Sequence, residues 1–335
     1  KINSIRNGKF PFTEKGGQEL LDSSNKLPIT YTTEYEIIKE CDVIILTIGT
    51  PIDEHHNPNL SPVYKTIDQL KPYLKDGQVI VLRSTLFPGT SEKIFARLKK
   101  SGLNVSVSFC PERIAQGYAL EEIKHLPQII SGSDSHALDT ARDLFLRFAK
   151  EVIELNLAEA ELAKLYTNVW RYITFAVANQ FYIIAEEKGF DFVKIRKAIM
   201  HNYERAANLP KSGFAAGPCL FKDTMQLEAY SRKNFNLGTA AMHINETLPD
   251  FLVDRIKLKY ELSFMKVGVL GMSFKPNNDD MRESLAYRLR KILTYENAIV
   301  MCTDPFIDDD SFFNLEEVLS QCKLIFIGCP HDEYK

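Results

Sequence analysis

Short apolar runs rich in β-branched residues alternate with segments of helical spacing in the first part of the chain, and this alternation constrains the fold most. The run CDVIILTIGT, Cys41–Thr50, is typical of a buried strand that ends where Pro51 opens a loop. The alternation predicts a parallel sheet connected by helices. Further strands are predicted at Gln78–Leu82, Asn104–Phe109 and Gln128–Ser131, and helices at Val63–Leu74 and Ser91–Lys100.

An uninterrupted helical pattern follows from Ala158 to Lys188, with apolar residues at spacings of three and four. A helix of this length is typical of a segment that spans domains or forms an oligomer interface. Shorter elements are predicted after it: helices at Phe192–Met200, Lys222–Ser231 and Gly238–Tyr260, and a Gly- and Pro-containing loop at Asn208–Cys219.

A second α/β unit is predicted from Lys266, where KVGVLG is typical of a strand that enters a tight turn. The helix Ser284–Leu293 and the strands Ile299–Cys302 and Lys323–Gly328 follow it. The predicted fold class is α/β, with two Rossmann-like doubly wound domains joined by a helical central region with one long helix. The predicted domain bounds are 1–155, 156–262 and 263–335.

Both Rossmann-like domains are expected to be truncated. No G-x-G-x-x-G turn precedes Cys41, so a complete first domain would need ~30 more residues in front. The last strand likewise lacks a covering helix. Without the glycine turn, the chain as given is expected to bind a dinucleotide poorly.

Charge and cysteine content exclude several classes of protein. The net charge is −3 and the cations are scattered, so nucleic acid is not an expected partner. The six cysteines form no CxxC pair, which indicates a reducing compartment. Neither a signal peptide nor an apolar run of ~18 residues is present, so a cytoplasmic location and no membrane span are predicted. The seven histidines show no ligand spacing, so no metal site is predicted.

The segment GPCLFKD, from Gly217 to Asp223, joins a glycine-containing loop to a predicted helix. Cys219 would lie at the positive end of the helix dipole with Lys222 as a nearby cation, and both favour a thiolate that can attack an aldehyde. Asp223 would lie one turn further on, where it can orient water or a cation. The alternative is a buried cysteine that closes a turn.

Two polar residues share a face of the long helix. Lys164 and Asn168 are four residues apart amid apolar neighbours, and such a pair can stabilise an oxyanion. The alternative is a solvated stripe on an amphipathic helix, since surface lysine is common.

The segment SFKPNNDDMRES, from Ser273 to Ser284, follows KVGVLG at the carboxyl end of a predicted strand, where α/β proteins bind ligands. Lys275 and Arg282 are cations suited to phosphate. The alternative is a charged surface loop with an N-capped helix. The segments GTP, 49–51, and RSTLFPGT, 83–90, follow strands in the same way and can be either ligand loops or plain turns.

Taken in order, TPID, RSTLFPGT, CPERIAQG, AELAKLYTN, GFAAGPCLFKD and FKPNNDDMRES resemble the motifs of the UDP-glucose/GDP-mannose dehydrogenase superfamily. The resemblance covers nearly the whole chain. It implies an NAD-binding N-terminal domain, a helical centre that forms a homodimer, and a C-terminal domain for the nucleotide sugar. It also implies an enzyme that oxidises the C6 alcohol of a UDP-sugar to a carboxylate with two NAD+.

The resemblance also implies roles for single residues. Cys219 would be the nucleophile that forms a thiohemiacetal and then a thioester. The oxyanion and the water would be held by Lys164, Asn168 and Asp223. The residues implied for the UDP-sugar are Glu112, Arg113, Asn208, Leu209, Pro210, Lys211, Ser212 and Lys275. The residues implied for NAD are Thr50, Thr85, Lys222 and Arg282.

The chain departs from the family pattern at three positions. Gln116 stands where the UDP-glucose enzymes carry a second glutamate, so the general base cannot be placed there. Ala215 and Ala216 replace glycines often seen before the cysteine. Together with CPERIAQG, these features resemble more closely the branch that acts on UDP-N-acetylhexosamines, such as UDP-N-acetylmannosamine.

Two other classes of protein stay open. A nucleotide-sugar-binding protein without dehydrogenase activity would explain the missing glycine turn. A hydride-transfer enzyme of the hydroxyacid type uses a Lys or His acid/base and forms no thioester, so an unreactive Cys219 would favour it. The sequence does not identify the sugar epimer, because epimers differ by the orientation of one hydroxyl.

Overall fold

The computed structural model describes residues 1–24, 26–215, 217–232 and 234–335. Its contacts divide the chain into two compact units, the first formed by Lys1–Thr167 with Met225–Arg232 and the second by Asn168–Thr224 with Lys233–Lys335. The three domain bounds given above stay a prediction. Ala216, singled out in the sequence, lies outside the described residues.

The first unit contains two parallel sheets, as the alternation of strands and helices predicts. Its strands are β1 Val43–Leu46, β2 Val79–Leu82, β3 Ser106–Phe109, β4 Gln128–Ile130 and β5 Val152–Glu154. The order β1-β2-β3 forms one sheet and β4-β5 the other. β2 is buried at every residue because it has a partner strand on each side and helices on its faces. β4 pairs with β5, a strand that was not predicted from the sequence.

The helices of the first unit surround these sheets. They are α1 Ile2–Arg6, α2 Gly17–Ser24, α3 Ser61–Leu70, α4 Thr90–Lys100, α5 Ala119–His125 and α6 Ser135–Phe145, with 3-10 turns at Tyr35–Glu40 and Lys71–Tyr73. The prediction for 63–74 is too long, because Pro72 cannot donate the next helical hydrogen bond and the chain continues as a 3-10 turn. The strand predicted at 41–50 is also too long, since its ladder with β2 ends at Leu46.

The long helix α7, Leu157–Glu187, confirms the prediction made for 158–188. It is 31 residues long and passes from the first unit into the second after Thr167. No helix in the described ranges is both long enough and apolar enough to cross a lipid bilayer.

The remaining helices are α8 Phe192–Met200, α9 Leu220–Tyr230, α10 Asn236–Glu246, α11 Leu248–Lys257, α12 Leu285–Tyr295 and α13 Leu315–Gln321, with 3-10 turns at Glu204–Ala206 and Asp332–Tyr334. The single helix predicted at 238–260 is wrong. Thr247 ends α10 and begins α11, and Pro249 in the first turn of α11 has no N–H with which to continue the earlier helix.

The sheet of the second unit is parallel and has the order β7-β6-β8, with β6 Lys266–Leu270, β7 Ile299–Thr303 and β8 Leu324–Ile327. β6 therefore lies in the centre with its successors on either side, which places a topological switch point at the carboxyl end of the sheet. The tight turn after β6 requires Gly271, because φ is +82° there and a Cβ would lie 2.1 Å from the carbonyl oxygen of Cys329.

Candidate active site

Cys219 lies immediately before the first residue of α9 and is exposed. Asp223 N–H donates to the Cys219 carbonyl oxygen at 2.9 Å, which is the bond of one helical turn that the spacing predicts. Among the six cysteines, all within the described residues, Cys219 is the only exposed one, whereas burial raises the pKa of Cys302 to about 11. The alternative of a buried cysteine that closes a turn is therefore wrong. The thiol faces solvent at the positive end of a helix dipole.

The loop before Cys219 is joined to the loop that follows β6. Gly217 N–H donates to the Glu283 carbonyl oxygen at 3.3 Å. Gly217 has φ +109°, and a Cβ on it would lie 2.6 Å from the ring of Phe274. A side chain cannot be accommodated there without displacing that ring. This contact brings two motifs together that are more than fifty residues apart in the sequence.

Arg282 belongs to the same loop and lies near Cys219. Its guanidinium pairs with Asp280, with Nη2 to Oδ2 at 2.6 Å. The pKa of Arg282 is raised, first by this hydrogen bond and also by its electrostatic interaction with Cys219. Ser284 caps α12 by accepting from Ala286 N–H. The segment therefore supplies the N-cap of α12 and also lies next to Cys219.

Asp223 is the centre of a buried polar cluster one turn from Cys219. Its side chain is fully buried, and Asn168 Nδ2 donates to its Oδ2 at 2.6 Å. Lys222 Nζ lies 2.5 Å from Oδ1 and is 16% exposed. The ammonium of Lys222, predicted to favour the thiolate and to contact NAD, is therefore balanced mainly by Asp223.

Lys164 lies on α7 one turn before Asn168, in the first unit. Both side chains are buried, with 8% of Lys164 and 5% of Asn168 exposed. The alternative of a solvated stripe is therefore wrong for this pair. Buried lysine and asparagine side chains at a helical spacing of four are uncommon outside functional or paired positions.

The side chains of Arg196 and Asn179 hold the loop 208–213. The sequence did not indicate either of them as a partner of this loop. Arg196 of α8 donates from Nε to the carbonyl oxygens of Leu209 at 2.9 Å and Pro210 at 2.8 Å. Asn179 of α7 accepts from Gly213 N–H at 2.9 Å and donates to Gly213 O at 3.0 Å. Asn179 is fully buried and stands in the apolar stripe of α7, and a polar residue at such a position is the signal that could have identified it. In this loop Asn208 and Lys211 are exposed and Ser212 is half-buried.

A cavity of about 720 Å³ in the second unit is lined by residues on both sides of Cys219, Gly217 and Phe221, and by Arg282 and Glu246. Glu246 accepts a hydrogen bond from Tyr172 Oη at 3.0 Å, and burial raises the pKa of its carboxyl. Lys275, on the loop after β6, is half-buried, and its carbonyl oxygen accepts from Ser273 Oγ at 2.8 Å.

The first unit brings its two strand-end loops together. Thr50, after β1, donates from Oγ1 to the carbonyl oxygen of Thr85, after β2, at 2.7 Å. Gln226 Nε2 lies 3.4 Å from the Thr50 carbonyl oxygen. Within the described residues, Gln226 Oε1 is the one buried side-chain oxygen without a hydrogen-bond partner. An unused acceptor therefore remains at the carboxyl edge of this sheet.

The carboxylate of Glu112 is held by three donors. It forms an ion pair with Arg83 and accepts from Arg113 N–H at 2.7 Å and Ile114 N–H at 3.0 Å. Arg83 is buried, and desolvation lowers its pKa to about 10. The guanidinium of Arg113 donates to the Pro127 carbonyl oxygen. The sequence did not indicate Arg83 as the partner of Glu112.

Three models of one family match the chain. The NAD binding domain of the UDP-glucose/GDP-mannose dehydrogenase family matches residues 1–149, its central domain residues 158–247 and its UDP binding domain residues 268–335. The chain belongs to this dehydrogenase family. As the ordered motifs predict, it is an NAD-dependent UDP-sugar dehydrogenase.

Relatives in the UDP-glucose/GDP-mannose dehydrogenase family match along the full chain. The UDP-N-acetyl-D-mannosamine dehydrogenase of Methanocaldococcus jannaschii is 32% identical over 344 aligned residues, which cover 100% of this chain and 79% of the relative. The enzyme of the same name from Pyrococcus horikoshii is 29% identical and is covered to 82%.

Solved structures confirm the fold class of this dehydrogenase. The UDP-N-acetylmannosamine dehydrogenase structure from Pyrococcus horikoshii superposes with a TM-score of 0.92 at 26% identity, covering 99% of this chain and 82% of that chain. The corresponding enzyme from Staphylococcus aureus gives a TM-score of 0.85 at 28% identity, covering 100% and 81%.

The residues present in the first unit fit the dinucleotide that this family uses. The carboxyl edge of a parallel sheet is the place where Rossmann-like folds bind nucleotides. Thr50 and Thr85 lie on the two loops at that edge, and the unpartnered oxygen of Gln226 adjoins them. These groups offer the hydroxyl, carbonyl and amide partners that an NAD molecule can use.

Proposed function

We propose that this dehydrogenase oxidises the C6 alcohol of a UDP-N-acetylhexosamine, of the UDP-N-acetylmannosamine type, to the carboxylate through a covalent intermediate on Cys219. The observation that carries the proposal is the exposed Cys219 at the start of α9, with the buried carboxylate of Asp223 one turn away. The alternative of a nucleotide-sugar-binding protein without activity is not favoured, because a binding protein has no use for an exposed thiol in this position.

The chemistry proceeds in two oxidations with the same sugar held in place. NAD+, when bound, accepts one hydride in each oxidation. The Cys219 thiolate adds to the C6 aldehyde left by the first oxidation and forms a thiohemiacetal, which becomes a thioester when its hydride leaves. Water then attacks the thioester, so that the carboxylate departs and the thiol is restored. Covalent capture keeps the aldehyde from escaping between the two steps.

The polar residues assigned to catalysis have separate tasks in this proposal. Lys164 and Asn168 stabilise the oxyanion of the thiohemiacetal, because both side chains are buried and a cation and an amide donor act more strongly in buried surroundings than in bulk water. Asp223 orients the hydrolytic water and holds Asn168 through its Oδ2. Lys222 lies 2.5 Å from Asp223 Oδ1 and provides a cationic partner for this buried side chain.

The remaining site residues bind the two ligands. We assign the UDP-sugar to Lys275, to Glu112 and Arg113, and to the loop of Asn208, Leu209, Pro210, Lys211 and Ser212. The fixing of that loop by Arg196 and Asn179 supports this assignment, because a substrate loop must be held in one conformation. We assign NAD to Thr50, Thr85, Lys222 and Arg282. The N-acetylated sugar is supported by the names of the relatives and by the departures at Gln116 and Ala215.

A panel of UDP-sugars tests the proposal directly. With the protein produced from its full coding sequence and NAD+ in excess, UDP-N-acetylmannosamine is expected to yield two NADH per sugar consumed. The second oxidation follows from the thiohemiacetal, so a ratio of two reports the covalent step. Absorbance at the NADH maximum and mass spectrometry of the sugar product provide the measurement.

The other outcomes of the panel have separate meanings. UDP-glucose as the better substrate would contradict the N-acetyl assignment and leave the four-electron chemistry intact. A ratio of one would contradict the thioester route and favour a hydride-transfer enzyme of the hydroxyacid type. No NADH with any UDP-sugar would favour the binding-protein alternative.

The exposed apolar face of α7 supports a homodimer through the central helices. Trp170, Val177, Phe181 and Ile184 are exposed, and Trp170 is 67% exposed. At 100° per residue these positions fall within roughly 60° of one another around the helix axis. A stripe of this kind is typical of helices that pack against a partner helix. We also place the enzyme in the cytoplasm, where a thiol nucleophile stays reduced.

Replacing Phe181 with glutamate is expected to convert the dimer to a monomer. A charge at the centre of an apolar interface is desolvated without a partner, which weakens the dimer by roughly a hundredfold. Sedimentation analysis should show the mass fall to that of one chain. Tyr295→Glu is the control, because Tyr295 is 89% exposed at the end of α12 and lies outside the stripe. A Phe181→Glu protein that keeps the mass of the parent protein would contradict an interface on this face.

A further inference from the structure

Glu161 is a buried acidic residue for which the mechanism has no task. It lies on α7 within the first unit, in the motif AELAKLYTN, and its side chain is 0% exposed. Its Oε2 accepts from Gly89 N–H at 2.5 Å. Its Oε1 accepts from Ser91 N–H at 2.8 Å and from Ser91 Oγ at 2.6 Å. An ionised carboxylate in the interior needs such donors, and here three of them converge on it.

These contacts form the N-terminal cap of α4, supplied by another helix. Gly89 is the N-cap residue of α4, with φ +85°, and has no side chain that could accept from the free N–H groups of the first turn. Glu161 provides the missing acceptor from a position some seventy residues further along the chain. Its negative charge also lies at the positive end of the α4 dipole.

The capped turn is the end of residues 83–90, which carry Thr85; because we assign Thr85 to NAD, we call this segment the NAD loop. Thr85 in this loop is fixed by Thr50, whose Oγ1 donates to its carbonyl oxygen. Glu161 fixes the far end of the loop. On α7, Glu161 stands three residues before Lys164, so both side chains belong to the same helical turn.

We propose that Glu161 is a positioning residue that holds the NAD loop against the turn of α7 carrying Lys164, so that cofactor binding and oxyanion stabilisation share one anchor. The inference rests on the proposed function, because it takes from it the roles of Thr85 and Lys164. Glu161 itself touches neither ligand and acts through the backbone of Gly89 and Ser91.

The chemistry of the contacts requires a carboxylate at this position. All three partners of Glu161 donate, and a carboxylate only accepts. A glutamine of the same shape would place its NH₂ group against at least one of these donors. Burial raises the pKa of Glu161, while the hydrogen bonds from Ser91 and Gly89 lower it in part. The substitution Glu161→Gln therefore removes the charge and leaves a donor without an acceptor.

The test compares Glu161→Gln with Glu159→Gln in the full-length enzyme. Glu159 is exposed and lies on the same helix, where its carboxylate accepts from Asn156 N–H at 3.1 Å and caps only α7. Glu161→Gln is expected to raise KM for NAD+ about tenfold, the size expected for a lost charged hydrogen bond, and to lower kcat through Lys164. KM for the UDP-sugar should stay within about twofold of the parent value. Glu159→Gln should change neither constant.

A second variant keeps the inference testable if Glu161→Gln does not fold. Ser91→Ala removes the hydroxyl donor and leaves both backbone N–H groups, so KM for NAD+ should rise about threefold in the same direction. In the double variant the two changes should be less than additive, because both act on one carboxylate.

The outcomes separate this inference from the proposed function. Parent-like KM for NAD+ in folded Glu161→Gln and Ser91→Ala proteins, or equal rises in both KM values, would overturn the positioning role. A parent enzyme that fails to reduce NAD+ with any UDP-sugar would instead overturn the proposed function. Partial unfolding alone reduces the active fraction and kcat but leaves KM unchanged, so the KM values also distinguish positioning from loss of stability.

Discussion

Replacing Cys219 with serine is expected to lower steady-state NADH formation roughly a thousandfold, because a serine hydroxyl without a general base is a poor nucleophile toward an aldehyde. The first oxidation does not need the thiol, so up to one NADH per enzyme-bound sugar should still form. The expected result is a stop after the first oxidation, detected as aldehyde trapped by hydroxylamine.

Cys322→Ser is the matched control for this prediction. Cys322 is half-buried, and burial raises the pKa of its thiol, so it is not a competing nucleophile. The control should retain the parent rate and the ratio of two NADH per sugar. Full activity in Cys219→Ser would remove the covalent route, and the enzyme would then resemble a hydride-transfer enzyme that uses a Lys or His acid/base.

The sequence was sufficient to predict the elements that a strong local pattern specifies. The long helix and the strands at 79–82 and 266–270 are confirmed because runs of Val, Ile and Leu with a clear period have one way to be buried. The errors have local causes. Pro72 and Pro249 ended helices whose apolar spacing continued past them, and the ladder partner of β1, not its own composition, set its length.

A residue of the candidate site was predictable where the residues next to it in the sequence indicate its chemistry. The position of Cys219 at the start of a helix followed from GPCLFKD, and the structure confirms it. The partners were not predictable, because they are distant in sequence. Asn168 contacts Asp223 across 55 positions, and Ser91 contacts Glu161 across 70. Sequence spacing predicts the relative positions of side chains only within one helix or strand, so contacts between elements can be identified only from the folded structure.

Substitution of Asp223 is expected to lower both the stability and the activity of the enzyme, and this is the second large effect that we expect. Asp223→Ala leaves the Lys222 ammonium, 16% exposed, and the buried Asn168 amide without an acceptor. Removing one member of a buried ion pair is expected to lower the free energy of unfolding by about 3 kcal/mol or more. Activity should fall roughly a hundredfold, because the amide that stabilises the oxyanion loses its anchor. Urea denaturation and NADH formation provide the two measurements.

Asp223→Asn separates the two effects, because it keeps the shape of the side chain and one acceptor oxygen but not the charge. It should recover part of the stability lost in Asp223→Ala while its activity stays low, since an amide orients the water and holds Lys222 poorly. Asp250→Asn is the matched control: Asp250 pairs with Arg288 at 2.9 Å, but both side chains are more than 40% exposed. Exposed pairs contribute about 0–1 kcal/mol, so this variant should keep nearly the full stability and rate. If Asp223→Asn is as active as the parent enzyme, Asp223 serves the fold alone, and the hydrolytic water must be oriented by another residue.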